Sequence, residues 1–274
     1  MNKVIIVFIL LIAVLMTATF TRGLFTPKRN TNNDLIITGH RGGADLGEEN
    51  SLCCIERGVA AGAHSIEIDV HITSDGEVVV CHDPTVDRTT NGSGKINAMT
   101  LAQIKALRLI DSTGKATEQQ IPTLVEVLEL LDGRVELLLE IKRKQGNNPG
   151  IEEQVLAILN RHSALEYTTI QSFDDSVLER LHALDPSLKL EKLLFGKVPG
   201  IPIIIDGNLN YFSTKKYHYI RSFNFHHRAL SGTLSRYLHK LGFRTRIWTF
   251  NNPDAIPDIP LEGIITNCPD RFLK

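Results

Sequence analysis

The chain has almost no excess charge of either sign, only four cysteines in 274 residues, and no small-x-small cleavage site behind its one long apolar run. A formal net charge of −1 excludes the basic footprint of a nucleic-acid-binding protein. Cys53 and Cys54 are adjacent, and Cys81 and Cys268 each flank an apolar run, so the four do not read as a disulfide framework. They are expected to be small buried residues, which leaves the redox compartment open.

The long apolar run is Val4–Phe20, seventeen residues without a charge and with only Thr17 and Thr19 polar. At ~1.5 Å per residue a helix of this length spans about 25 Å, slightly less than a ~30 Å hydrocarbon core. Met16, Phe20 and Arg22 occupy the places where a signal peptidase site would fall. Residues 1–22 are therefore expected to be a single-pass transmembrane anchor; if cleaved, the segment would instead mark a secreted or periplasmic protein. Lys3 lies on one flank and Arg22, Lys28 and Arg29 on the other, so the positive-inside rule leaves the orientation open. A polar linker containing Pro27 follows over 23–33, and the soluble domain is expected over 34–274.

About 240 residues suit one large α/β barrel. Strand-like apolar runs recur at Leu35–Gly39, Ser65–His71, Leu137–Lys142, Thr168–Ser172, Lys189–Phe195, Tyr219–Phe225, Thr245–Phe250 and Gly263–Thr266. Between them, Ser51–Ala61, Leu124–Leu131, Ile151–His162, Asp174–Leu184 and Leu230–Leu241 carry apolar residues at helical spacing. Eight strands alternating with helices predict a closed parallel barrel, with Val78–Cys81 as an added short strand. Two stretches depart from the repeat. Pro84–Pro122 is rich in Thr, Gly, Asn and Ser with one helical piece at Leu101–Leu107, as expected of a small subdomain inserted over the barrel mouth. In Gly196–Tyr217, prolines and β-branched residues oppose the helix that the repeat would require.

The chemistry gathers at strand ends. In TGHRGG, His40 and Arg41 follow an apolar strand at once, where α/β barrels carry their active sites. In SIEIDVHI, Glu67 and Asp69 share one face of a strand while Ile66, Ile68 and Val70 take the other. LLLEIKR repeats the device with Glu140 and Lys142. Two acids in an apolar context require a cation. Three carboxylates from two strands offer oxygen ligands to one hard divalent ion, Mg²⁺ or Ca²⁺; a buried acid–base pair is the alternative. In VVVCHDP a second histidine, His82, follows another apolar run, and two imidazoles so placed can act as general base and general acid. His71 follows the acidic pair and could reach the same place.

Taken in order, HRGG, Glu49–Asn50, Glu67–Asp83, DRTT with NGSG, IPTLVEVL, LLLEIK, Gln171–Phe173, WTFN and Gly263–Asp270 resemble the glycerophosphodiester phosphodiesterase family over most of the soluble chain. The resemblance implies a TIM-type (β/α)8 barrel with the insertion after the second strand. It implies His40 and His82 as catalytic, Glu67, Asp69 and Glu140 as metal ligands, and Arg41 and Lys142 as phosphate-binding. It places Asn50 at metal or phosphate, and Phe173 and Trp248 at an aromatic mouth. The implied reaction is metal-dependent hydrolysis of a glycerophosphodiester to sn-glycerol 3-phosphate and an alcohol. Three other readings stand beside it. They are a lysophospholipase D acting on membrane lysophospholipids, a lyase that stops at the cyclic phosphate, and a non-catalytic barrel that binds a lipid or a partner.

Overall fold

The apolar runs pair in parallel, as continuous Val/Ile/Leu stretches covered on both faces do. A computed structural model describes residues 35–142, 148–198 and 200–273. The expected anchor, 1–22, and the linker, 23–33, lie outside these; among the described residues no helix is long and apolar enough to cross a membrane. Strands β1 (Ile36–Gly39), β2 (Ser65–Ile72), β4 (Glu136–Ile141), β5 (Thr168–Ser172), β6 (Leu190–Leu194), β10 (Ser222–His226), β11 (Arg244–Trp248) and β12 (Gly263–Thr266) follow one another around the sheet. Pairing of β1 with both β12 and β2 closes it, so the eight-stranded parallel barrel expected from the sequence is the fold. The short strand β3 (Val78–Val80) adds to β2 in antiparallel sense.

The helices are set by local signals. Helix α1 (Leu52–Ala60) starts at Ser51, whose hydroxyl accepts from the Cys54 amide. Helix α2 (Leu101–Lys105) lies in the insertion, and α3 (Leu124–Leu131) opens on a capping box in which Thr123 and Glu126 satisfy each other's amides. Helices α4 (Ile151–Arg161), α5 (Asp175–Leu184) and α6 (Gly232–Lys240) complete the described crossovers. Residues 84–122 enclose an apolar cluster of Val86, Ile96, Ile104, Leu109 and Ile121 against Val79 and Cys81, while Asn91, Asn97, Thr113 and Gly114 are exposed.

Among the described residues between β6 and β10 no helix forms. Three short strands, β7 (Gly196–Lys197), β8 (Ile203–Ile205) and β9 (Leu209–Tyr211), form a separate antiparallel sheet. Its anchor is electrostatic: the fully buried Lys192 of β6 meets Asp206 at 2.8 Å and Asp175 at 2.9 Å. Among the described residues the barrel unit takes in all but Asn252–Asp258, which carries a short 3-10 turn at Pro253–Ala255. The four cysteines are free thiols, with Cys54, Cys81 and Cys268 buried and Cys53 partly so.

Candidate active site

The turn after β1 is built by close backbone approach. His40–Gly42 forms a 3-10 turn, and Gly42 (φ 89°) and Gly43 (φ 99°) leave it through a region that disfavours side chains. A Cβ at Gly42 would lie 2.9 Å from the Ile55 amide nitrogen, and one on Gly58 of α1 would lie 2.2 Å from the Gly42 carbonyl oxygen. Helix α1 therefore packs backbone to backbone against the turn. Arg41 sits at φ 52° within it, and its N–H donates to Glu67 Oε2 at 2.9 Å. The strain is offset by a buried carboxylate that needs the donor.

Glu67 and Asp69 on β2 and Glu140 on β4 meet inside the barrel, Asp69 and Glu140 being direct neighbours in register. One oxygen from each lies within 4.8 Å of the other two, and all three residues are buried. Their cations are fewer. Lys142 Nζ lies 2.7 Å from Glu140 and 2.9 Å from Asp69, while Arg41 Nε lies 3.7 Å from Asp69 and donates its other arm to Glu49 at 2.9 Å. Asn50 donates to Asp69 Oδ2 at 3.0 Å, so it steadies a carboxylate. Glu67 Oε1 receives only a long bond, 3.4 Å, from Gln171.

The consequence is electrostatic conflict. Burial, then the charges of Asp69 and Glu140, pushes Glu67 well above the usual carboxylate range. Burial pushes Glu140 up to about 7 against the pull of Lys142. For Asp69 burial acts upward too, but Lys142, His82, Arg41 and His40 together hold it below the usual range. Asp69 Oδ1 is buried and stands 2.9 Å from the Lys142 ammonium. Three buried carboxylates beside one lysine and one arginine make an all-oxygen, over-negative cluster that fits a hard divalent cation, and a buried acid–base pair alone leaves it unbalanced.

The two histidines differ in what holds them. His40 Nδ1 is 2.6 Å from Asn267 Oδ1, so Nδ1 carries the proton and Nε2 presents its lone pair, 4.0 Å from Glu67 Oε2. Burial, then the Arg41 charge, lowers His40 to about 4. His82 Nδ1–H donates to Asp83 Oδ1 at 2.7 Å, and Asp83 is held by Arg88 at 2.6 Å. Burial lowers His82 as well, with Asp69 opposing. His71 is placed beneath: its Nε2 lies 3.3 Å from the His82 carbonyl and its Nδ1 2.9 Å from Asn148, so it supports the His82 loop.

At the rim, Phe173 after β5 meets Trp248 at the end of β11 edge-on, with ring centroids 5.5 Å apart. Phe195, which follows β6 as Phe173 follows β5, completes the group by stacking on Phe173 at 4.7 Å. That matching position after a strand was its only signal in the sequence. Glu49, Arg88 and Asn267 were also missed as site residues, although all three stand within the motifs that carry the family resemblance. Glu49 bridges Arg41 and Arg88, and Asn267 follows the last strand. Deeper in the barrel, Asn224 joins Gln171 at 2.9 Å to Glu191 at 2.7 Å, and Arg246 Nε lies 3.3 Å from Glu191. A cavity of about 440 Å³ opens beside the centre between Asp45, Glu48, Glu49, Arg88, Asp111 and Ser112.

The glycerophosphoryl diester phosphodiesterase family matches residues 40–271. A glycerophosphodiester phosphodiesterase of Bacillus altitudinis is 30% identical over 247 residues, 87% of this chain and 96% of the relative. One of Bacillus subtilis is 28% identical, with 100% of this chain and 97% of the relative covered. The crystal structure of a glycerophosphodiester phosphodiesterase from Thermotoga maritima superposes with a TM-score of 0.66 at 25% identity, covering 87% of this chain and 96% of that one. An Oleispira antarctica phosphodiesterase, solved with the product sn-glycerol-3-phosphate, superposes with a TM-score of 0.72 at 22% identity, covering 86% and 94%, and shares the fold. With the match running from the first catalytic-looking histidine almost to the last residue, the chain belongs to the glycerophosphoryl diester phosphodiesterase family and is an enzyme of that class, a phosphoric diester hydrolase.

Proposed function

We propose that the chain hydrolyses glycerophosphodiesters to sn-glycerol 3-phosphate and an alcohol, with one divalent cation held by Glu67, Asp69 and Glu140. The observation that carries this reading is the convergence of three buried carboxylates with two differently held histidines at the C-terminal ends of the barrel strands. A bound Mg²⁺ or Ca²⁺ supplies positive charge against the negative charge that grows on the phosphoryl oxygens. Arg41 and Lys142, anchored by Glu49 and by Asp69 and Glu140, add fixed positive charge at the same place. His40 Nε2 takes the proton of the attacking hydroxyl, whether the substrate's own glycerol hydroxyl or water. His82, whose Asp83 partner favours the protonated ring, returns a proton to the departing alkoxide as the P–O bond breaks. Phe173 and Trp248 line the mouth through which the diester enters.

The polar cavity beside the centre favours a soluble diester, since its walls include Asp45, Glu48, Glu49 and Arg88. The uncharged run Val4–Phe20 holds this enzyme to a membrane as a single-pass anchor. A second reading, lysophospholipase D, is favoured by the apolar sheet β7–β9 beside the aromatic rim. One assay separates them. Purified enzyme is given glycerophosphocholine and lysophosphatidylcholine, with and without EDTA, alongside His40→Ala and His82→Ala. Glycerol phosphate is expected as the dominant product, abolished by chelation and lowered at least ~10²-fold in either folded variant. Lysophosphatidate as the dominant product would favour the second reading, and full turnover after prolonged chelation would refute the metal assignment.

A further inference from the structure

The sheet β7–β9 is patterned inside out. In its two longer strands the directly opposed pairs are Ile203 with Tyr211 and Ile205 with Leu209. Because opposed residues share a face, these four apolar side chains stand together. Leu209 is 72% exposed, Tyr211 68% and Ile205 39%, with Ile201 (48%) on the preceding turn. Beneath them, the inward face carries Ile204, fully buried, and Asn210, which donates twice to Asp206. An ordinary half-buried sheet puts its polar residues outward and its apolar ones inward. Here the sole acid of 195–211, Asp206, is turned in and paired with Lys192, and the one base of that stretch, Lys197, stands opposite Ile204 on the inward face with its Nζ 4.9 Å from the Phe212 ring, so the outer face is without charge.

The face is also tied to the catalytic mouth. Phe195, 45% exposed, donates its backbone N–H to Ile205 O at 2.7 Å, and its ring stacks on Phe173 and lies 5.4 Å from Trp248. We propose that this outer face docks the barrel mouth onto a lipid surface, with Ile201, Ile205 and Leu209 entering the acyl boundary and Tyr211 at the headgroup level.

Three observations favour lipid over protein. A few partly exposed side chains offer on the order of a few hundred Å², short of the ~800 Å² per partner that a stable protein interface buries. The face carries no charge and a single hydroxyl, on Tyr211, whereas a protein interface keeps a polar rim and the bilayer boundary selects an apolar cluster with a tyrosine beside it. The same chain also carries the uncharged run Val4–Phe20, whose composition suits a bilayer. Docking of this kind concerns where the mouth sits, and it stands whether the diester cleaved is soluble or lipid-borne.

The test uses the full chain reconstituted in phosphatidylcholine–phosphatidylglycerol vesicles. The native protein has one tryptophan, Trp248, so Leu209→Trp adds a reporter on the face itself. Brominated phosphatidylcholine is expected to quench the Leu209→Trp protein at least twofold more than the native one. A Leu209→Ser/Tyr211→Ser variant should keep its kcat/KM on soluble glycerophosphocholine within twofold and lose the lipid quenching of Trp248. Emission of the Leu209→Trp protein no more quenched than that of the native one, in vesicles that retain both, would overturn the proposal. So would a detergent-solubilised dimer, seen by light scattering, that the serine variant dissociates, since a second copy of the chain would then cover the face.

Discussion

His40 and Asn267 lie 227 residues apart in the chain, and their side chains meet at 2.6 Å. The contact spans the barrel's closure, because β1 and β12 pair in register from Ile36 with Gly263 to Gly39 with Thr266. The last strand thus fixes the tautomer of the first histidine, leaving Nε2 as the proton acceptor.

Asn267→Leu is expected to lower kcat, with a smaller loss than the ~10²–10⁴-fold for removal of His40 itself. Asn267→Asp retains an acceptor and should recover part of the rate, while its added charge shifts the acid limb of the pH profile upward. Equal losses in both variants, with unshifted profiles, would show that Asn267 only shapes the loop.

Cation-free protein should become less stable as pH rises from about 6.5 to 8. Glu140 moves from an ordinary carboxylate value of 4.5 up to about 7 on folding, so its folded form holds the extra proton between those values. Its contribution is complete below about 4.5 and lost as pH rises through 7. Glu67, also raised by burial, acts in the same sense. His40 and His71, lowered by burial to about 4 from 6.5, act in the opposite sense, but only below 6.5. Thermal melts at pH 6.5 and 8, with Mg²⁺ or Ca²⁺ and after chelation, check this; added cation should reverse the decline, and its affinity should rise with pH.

Replacing Lys192 by Met keeps most of the side-chain volume and leaves Asp206 and Asp175 without their buried cation. A loss of ~3–5 kcal/mol in chemical denaturation is expected. The β7–β9 sheet should loosen first, because Asp206 ties it to β6. Hydrogen exchange across residues 203–211 measures that directly.

Gly58→Ala would favour an isolated helix by about 1 kcal/mol. In this chain the added Cβ meets the Gly42 carbonyl at 2.2 Å, so overpacking at ~1–3 kcal/mol wins and the variant is less stable. The shift displaces the turn that carries His40 and Arg41, and kcat should fall together with Tm.

Much of this protein was determined by its sequence alone. Apolar runs of strand length alternating with amphipathic helices dictate a parallel sheet covered on both faces, and a count of eight such strands points to its closure into a barrel. The period of two along β2 put Glu67 and Asp69 on one face before any partner was known. Local composition also excluded a helix after β6. What only the tertiary structure decided is what those residues meet. Asn267, Glu49 and Arg88 are surface-type residues whose positions carry no periodicity, and they matter because barrel closure and the insertion bring them to His40, Arg41 and Asp83. Lys192 and Arg246 look like solvent-facing charges in one dimension; strand register turns them inward onto Asp206 and Glu191. The outward turn of Ile205, Leu209 and Tyr211 was equally illegible, because an apolar strand predicts burial and only a sheet with one face already satisfied by Asp206 and Asn210 leaves it uncovered.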